Sequence, residues 1–217
     1  MKTTILFDLD GTLIDSTEAI IESFYKSFEV MGSPFPQREE IEAKIGYTLE
    51  DIFAFLGVHE GKIDEHVAAY KAHYREISRV KTFLLDGALE AIELASSFAR
   101  LGIVTTKTAR YSKELLEHMN VMHYFEALVG REDVVNVKPH PEPIYKALEK
   151  LGKNEAPKMR NIWMIGDTFL DVEAAKNAGI NHIALMTGYG DKNQLKALSD
   201  IVTKDVLEAV KIIREAN

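Results

Sequence analysis

Asp8 and Asp10 follow Ile5-Leu6-Phe7 directly and precede Gly11-Thr12-Leu13. An apolar strand there would deliver two carboxylates to its carboxyl end, and open α/β sheets bind ligands in the crevice outside the carboxyl ends of their strands. Alternate residues of an extended strand share a face, so the two carboxylates should point the same way. Like charges held that close need a cation or a shared proton. Three further polar sites stand at expected strand ends or in the loops that follow. Thr105 closes Leu101-Gly102-Ile103-Val104; Lys138 lies in Val137-Lys138-Pro139-His140-Pro141-Glu142-Pro143; Asp167 and Asp171 belong to Gly166-Asp167-Thr168-Phe169-Leu170-Asp171. If those strands are neighbours, the carboxylates, the hydroxyl and the ammonium face one pocket. Its net charge is about −3, which a divalent cation reduces to about −1 and one further proton brings near zero. Hard oxygen ligands with an incomplete protein shell suit Mg²⁺, which keeps waters and binds substrate phosphate. The pattern fits a magnesium-assisted phosphoryl-transfer centre and makes little sense without the metal.

Positioning such a centre requires a parallel sheet with crossover helices, and short apolar runs alternate with helical patterns as that architecture demands. Strands are expected at Thr4–Phe7, Gly102–Thr105, Ala127–Val129, Ile162–Ile165, His182–Leu185 and Ile201–Val202. Helical spacing appears at Tyr111–His118, Pro143–Leu151, Leu170–Ala178 and Val206–Ile213, and Gly102, Gly152 and Gly179 fall where helix ends are expected. The region from about Ser16 to Thr82 breaks the rhythm. It shows helical periodicity and no convincing strand, with Ile20, Phe24, Phe28 and Met31 forming one apolar face. Further helices are expected at Gln37–Lys44, Leu49–Leu56 and Ile63–Ile77, punctuated by Pro34-Phe35-Pro36 and Gly57. The fold class expected is therefore α/β, a Rossmann-like parallel-sheet core over residues 1–15 and 83–217 with an inserted all-helical cap at 16–82.

Bulk properties narrow the function classes. A chain of 217 residues with 46% hydrophobic and 28% charged residues is ordinary for a soluble globular protein. It is long enough to bury roughly 70–75% of its unfolded surface without a disulfide or structural metal. The absence of cysteine excludes thiol catalysis and cysteine-ligated zinc, and is consistent with a reducing interior. The formal charge of −8 argues against a sequence-independent grip on nucleic acid or on an anionic membrane. No apolar run approaches the roughly 18 residues of a membrane span, and Asp8 interrupts the first one too early for a signal peptide. The expectation is a soluble, cytoplasmic protein acting on a small molecule.

The segments Asp8–Ser16, Val104–Lys107, Lys138–Pro143 and Gly166–Asp171 occur in an order and spacing that resemble the haloacid dehalogenase-like hydrolases, within them the phosphoglycolate phosphatase-like branch with a helical cap. The likeness covers nearly the whole chain. It implies that Asp8 attacks phosphorus to form an aspartyl-phosphate that water hydrolyses, splitting one hard step into two. It implies that Asp10 protonates the leaving alkoxide and then activates the water. Mg²⁺ would be held by the Asp8 carboxylate, the Asp10 main-chain carbonyl and Asp167, with Asp171 close by. Thr105 and Lys138 would bind the transferring oxygens; Thr106, which stands where the family commonly has asparagine, is counted with them. Dehalogenases and phosphonatases of this type lack an aspartate at the place of Asp10, so its presence favours cleavage of phosphate esters or anhydrides. Sugar-phosphate mutases of the family carry a histidine early in the first cap helix, where this chain has Ile20. The substrates implied are 2-phosphoglycolate, nucleoside monophosphates and sugar phosphates, with pyrophosphate hydrolysis or a mutase as alternatives. A signalling receiver domain would be shorter and without the helical insert, and a dead binding protein would be expected to lack Asp8 or Asp10.

Other features have plainer expectations. Asp15 and Ser16 look like caps of the first cap helix. His59, His66 and His73 recur every seven residues; on one helix that is about 10 Å, too far for a shared ion, so a solvated helix face is expected. Gly188-Tyr189-Gly190 lacks the third glycine and the first-strand position of a dinucleotide fingerprint and should be a turn. The cap loop Ile45-Gly46-Tyr47-Thr48 is the expected place of substrate contact.

Overall fold

The structure, a computed structural model, describes residues 2–152 and 161–216. In chain order its elements are β1 (Thr3–Phe7), β2 (Ile14–Asp15), α1 (Thr17–Met31), α2 (Arg38–Glu42), α3 (Leu49–Phe55), α4 (Ile63–Ile77), β3 (Phe83–Leu84) and α5 (Ala88–Phe98). They continue with β4 (Ala99–Val104), α6 (Ala109–His118), β5 (Phe125–Val129), α7 (Glu142–Lys150), β6 (Ile162–Gly166), α8 (Phe169–Ala178), β7 (Asn181–Leu185), α9 (Lys192–Leu198), β8 (Val202–Thr203) and α10 (Val206–Glu215). Single 3₁₀ turns precede α4, β5 and the loop before α7.

Six strands form one sheet in the order β5-β4-β1-β6-β7-β8, and every pair in it is parallel. β1 is central because all five of its residues are buried, as a parallel strand covered on both faces requires. Its side chains alternate. Ile5 and Phe7 join a cluster with Ala91 and Ile92 of α5 and Val210 of α10, while Leu6 joins Ile144 of α7 and Ala174 of α8. From β1 the chain goes to β4 and β5 on one side, then crosses to β6, β7 and β8 on the other. The strand order therefore reverses beside β1, which opens a crevice at its carboxyl end.

The chain leaves and re-enters this core through a two-residue antiparallel ribbon, with Ile14 opposite Leu84 and Asp15 opposite Phe83. Between the two halves of the ribbon lie α1 to α4, a 3₁₀ turn and no named strand. Rings hold these helices together: Phe24 sits 4.8 Å from both Phe53 and Tyr70, and Phe28 lies 5.9 Å from Phe53. Such aromatic pairs contribute about 0.5–1.5 kcal/mol each beyond the area they bury. Among the described residues, no helix is long and apolar enough to cross a membrane.

The strands expected from sequence are all present within a few residues, with one correction. Gly102 does not end a helix but lies inside β4, where an added Cβ would come 2.9 Å from the Leu6 side chain. Gly179 and Gly152 do follow helices, with φ of 69° at each. The ribbon and the helices α5 and α9 are additions to that expectation.

Candidate active site

Asp8 is the first residue beyond β1, and its N–H donates to the Ile165 carbonyl at 2.9 Å, which ties it to the end of β6. Thr105 follows β4 in the same way, its N–H on the Val129 carbonyl at 3.0 Å. Asp167 follows β6, and Asp171 lies in the first turn of α8. Lys138 comes from the loop before α7. That loop is folded back by Glu142, whose carboxylate accepts the Val135 and Asn136 N–H groups, both at 2.9 Å. The sheet thus brings Asp8, Thr105, Lys138, Asp167 and Asp171 to one end, all buried.

Lys138 Nζ joins the cluster together. It lies 2.9 Å from Asp8 Oδ1 and 2.6 Å from Asp171 Oδ1, and donates to the Val104 carbonyl at 3.1 Å. Asp171 also accepts from the Thr168 N–H at 3.0 Å and the Thr168 hydroxyl at 2.7 Å, a capping-box contact at the start of α8. That cap and the ammonium offset the like-charge spacing of Asp167 and Asp171. Asp167 accepts the Thr12 hydroxyl at 3.0 Å and the Tyr189 N–H at 2.8 Å. Gly188 permits this approach, because a Cβ there would lie 1.8 Å from Asp167 Oδ2. The Gly188-Tyr189-Gly190 segment is the expected turn, and it serves Asp167.

Burial pushes the Asp8 carboxyl up to about 7; the neighbouring Lys138 pulls it down and Asp171 adds to the rise. Burial, with the charges of Asp8 and Asp171, holds Asp167 well above the ordinary carboxylate range. For Lys138, burial opposes the charged form, but Asp171 and Asp8 outweigh it and raise the ammonium above its usual value. Asp8, Asp167 and Asp171 each offer an oxygen within 4.8 Å of the others. Against these carboxylates stands the one ammonium of Lys138, and Asp167 has no cationic side chain within ion-pair distance among the described residues. A buried carboxylate without a counter-ion is costly. An all-oxygen donor set with that excess negative charge fits a hard divalent cation.

The Asp10 side chain faces a second arrangement. It accepts from the Ser16 hydroxyl and from Lys107 Nζ at 3.0 and 3.1 Å. Lys107 also lies 4.7 Å over the Tyr74 ring. Burial opposes its charge, yet Asp10 and Tyr74 together hold the ammonium above its usual range. The Asp10 carboxylate is outside the trio that could share a cation. Thr106 donates its hydroxyl to the Gly46 carbonyl at 2.8 Å, linking the loop after β4 to the loop before α3.

Several expectations change here. Ser16 stands at the start of α1 but makes no capping bond, because its hydroxyl is spent on Asp10; Asp15 instead accepts the Thr17 N–H at 3.0 Å. The three histidines do not form a solvated face. His59 precedes α4 and accepts the Gly61 N–H at 3.2 Å, whereas His66 is buried against Phe28 and Phe53. The Ser27 hydroxyl donates to the His66 carbonyl, so the ring Nδ1 at 2.9 Å is the donor to it. His73 meets the Ser23 hydroxyl at 3.3 Å. Sequence reasoning passed over Thr12, Lys107 and Tyr189. Thr12 and Lys107 lie inside quoted motifs and could have been taken as polar neighbours of the carboxylates; the Tyr189 contact is made by backbone and leaves no trace in residue type.

The haloacid dehalogenase-like hydrolase family model matches residues 5–185. A probable phosphatase, IndB, of Dickeya dadantii is 32% identical over 216 residues, covering 97% of this chain and 92% of that protein. The pyrophosphatase PpaX of Halalkalibacterium halodurans is 35% identical over 193 residues, covering 88% and 86%. Among solved structures, a haloacid dehalogenase-like family hydrolase from Streptococcus pneumoniae superposes with a TM-score of 0.85 at 29% identity, covering 97% of this chain and 98% of that one. With its parallel sheet and the acidic cluster at the carboxyl end of the central strand, the chain is an enzyme that belongs to the haloacid dehalogenase-like hydrolases.

Proposed function

We propose that the chain is a Mg²⁺-dependent phosphatase that hydrolyses a small phosphate monoester through an aspartyl-phosphate on Asp8. The observation that carries this reading is the buried group of Asp8, Asp167 and Asp171 around Lys138, beside Thr105. A carboxylate oxygen of Asp8 bonds to phosphorus as the bond from phosphorus to the leaving oxygen breaks, and Asp10 gives that oxygen a proton. Asp10 then takes a proton from water, whose oxygen displaces Asp8 and releases inorganic phosphate. An arriving phosphate competes for the Lys107 ammonium and so loosens its hold on Asp10. Lys138 and Thr105 hold the transferring oxygens, and Thr106 adds a hydroxyl nearby. The Asp8 and Asp167 carboxylates and the Asp10 main-chain carbonyl would hold Mg²⁺, with Asp171 close by. When bound, the ion neutralises charge on the transferring phosphoryl group.

In this reading residues 16–82 are a cap over a core made of 1–15 and 83–217. The ribbon is its hinge and exclusion of bulk water its task. The same centre could cleave pyrophosphate, the activity in the name of one relative. Phosphate release from a metabolite panel with Mg²⁺, with EDTA, and with Asp8→Asn tests the proposal. Release that survives EDTA or the substitution would refute it.

A further inference from the structure

The direction of the Asp10 side chain is not set by the strand. β1 ends at Phe7, and the chain turns at Gly11, where φ is 79°. Asp10 stands in sequence beside the acidic cluster, yet its carboxylate lies outside the trio that could share a cation. Two donors hold it there. Lys107 Nζ lies 3.1 and 3.0 Å from the two carboxylate oxygens, and the Ser16 hydroxyl donates to one of them. The ammonium is itself seated. It lies 4.7 Å over the Tyr74 ring, which stacks on Tyr70 at 5.6 Å with an interplanar angle of 11°. One donor thus comes from the loop after β4, the other from the entry to α1, and the ring beneath the first from α4.

The pair is nearly desolvated, with side-chain exposures of 11% for Lys107 and 12% for Asp10. Replacing such a pair by apolar side chains is often neutral or stabilising, so fold stability does not account for it. Position does. In the mechanism proposed above, the Asp10 main-chain carbonyl would hold Mg²⁺ while the carboxylate of the same residue exchanges protons. Mg²⁺ takes hard oxygen ligands, and a charged carboxylate attracts it more strongly than a neutral water does. Without a counter-ion of its own, the Asp10 side chain would be drawn onto the metal. Its oxygens would then be spent on the cation and lost to the leaving group.

Given the phosphatase reading, on which this rests, we propose that Lys107 is a positioning residue for Asp10. Its ammonium, seated on Tyr74, holds the carboxylate toward the space that Asp10 lines between the sheet and α1, α3 and α4, and keeps it off the metal.

Mg²⁺ calorimetry and turnover of two esters test this. Lys107→Met should bind Mg²⁺ about tenfold more tightly than wild type, because Asp10 becomes a ligand. Its kcat should fall by about a hundredfold for an alkyl ester from the metabolite panel, within the range that a positioned acid supplies. For 4-nitrophenyl phosphate, whose leaving group departs without a proton, kcat should fall by less than about threefold. Arg131→Met removes a cation from the same lining that makes no ion pair with Asp10 among the described residues. Its Mg²⁺ affinity should stay within about twofold of wild type, as a distant charge is screened. Ser16→Ala loses only the hydroxyl bond and should move the Mg²⁺ and alkyl-ester readouts as Lys107→Met does, by about threefold.

Unchanged Mg²⁺ affinity in Lys107→Met, equal tightening in Arg131→Met, or equal losses on the two esters would overturn the inference and leave the phosphatase reading standing. Where Lys107→Met does not fold, Ser16→Ala decides, and unmoved readouts in it overturn the inference. A wild-type protein that releases phosphate from neither ester refutes the phosphatase reading; tighter Mg²⁺ binding in Lys107→Met would then still support the placement of Asp10.

Discussion

At the strand ends, Asp8, Asp167 and Asp171 lie within 4.8 Å of one another, and Lys138 touches two of them. A few residues away, the space between α1, α3 and α4 is shaped by Phe24, Tyr70 and their neighbours, whose contacts are ring against ring. The first region is held by charge, with one ammonium shared between the Asp8 and Asp171 carboxylates. The second is held by volume, and a side chain of similar shape can replace another at little cost. A catalytic centre of the first kind can serve many substrates if the second region alone is reshaped. In the proposed reading that division separates reaction from specificity along the chain, with Asp10 at the seam.

The largest effect expected from breaking the first region comes from Asp8→Asn. Turnover should fall by on the order of 10⁴-fold, as for removal of a group that reacts directly. The isosteric amide keeps the shape, so the melting temperature should stay the same or rise. Phosphate release and a thermal melt on one preparation check both; activity within tenfold of wild type would remove Asp8 from the proposed role.

Lys138→Met comes next, and it concerns stability. It leaves Asp8 and Asp171 without their shared ammonium, and breaking a buried pair in this way costs about 3–5 kcal/mol. Phe24→Leu in the helical segment should cost less than about 1.5 kcal/mol, as a near volume-conserving change. Denaturant unfolding of the two variants in EDTA compares the regions directly. Equal losses would dissolve the distinction between charge-held and volume-held packing.

The same cluster predicts a pH dependence. The folded chain keeps protons on Asp8 to about 7 and holds Asp167 well above the ordinary value, which for both is 3.8. Between those values the folded state binds more protons than the unfolded one, so stability declines as pH rises. This contribution is complete below 3.8 and is lost as pH climbs through about 7. Thermal melts in EDTA should therefore fall across neutrality, and Mg²⁺ should flatten the slope. At a hundredfold excess over its dissociation constant the ion adds about 2.7 kcal/mol. An Asp167→Asn variant should melt higher than wild type in EDTA and gain little from Mg²⁺.

The two regions also differ in how far the sequence exposes them. Asp8 and Asp167 stand at the ends of short apolar runs, with Asp171 one turn further on, so finding the strands and finding the first two carboxylates are one operation. The burial of β1 on both faces follows from the same run. In the helical segment periodicity locates α1, α3 and α4 but not what their faces meet. His66 recurs at seven-residue spacing between His59 and His73 and reads as solvated, yet it packs on Phe28 and Phe53. Only the partner helix could have shown that. The Asp10–Lys107 pair spans 97 positions, and the ribbon is two residues per strand. Spacing cannot reveal the one or periodicity the other. Gly102 resembles a helix stop because glycine is common there, but close strand packing against Leu6 requires the same residue.

The smallest effect expected lies on the seam itself. Thr106 Oγ1 donates to the Gly46 carbonyl at 2.8 Å, joining a loop of the sheet to a loop of the helical segment. One neutral hydrogen bond contributes about 0.5–1.5 kcal/mol, which is roughly a two- to tenfold change in the population of the joined state. Thr106→Val should lower kcat/KM by about that factor, and Thr106→Ser should restore it, since only the hydroxyl is needed. The pattern across substrates decides what the hydroxyl does. If it holds the helices against the sheet, the loss is the same for a nucleotide and for 2-phosphoglycolate, because both need the closed state. If it touches the substrate, as its place beside Thr105 suggests, the loss differs between them. A uniform loss thus assigns Thr106 to the joint between the two regions, and an uneven one moves it into the pocket.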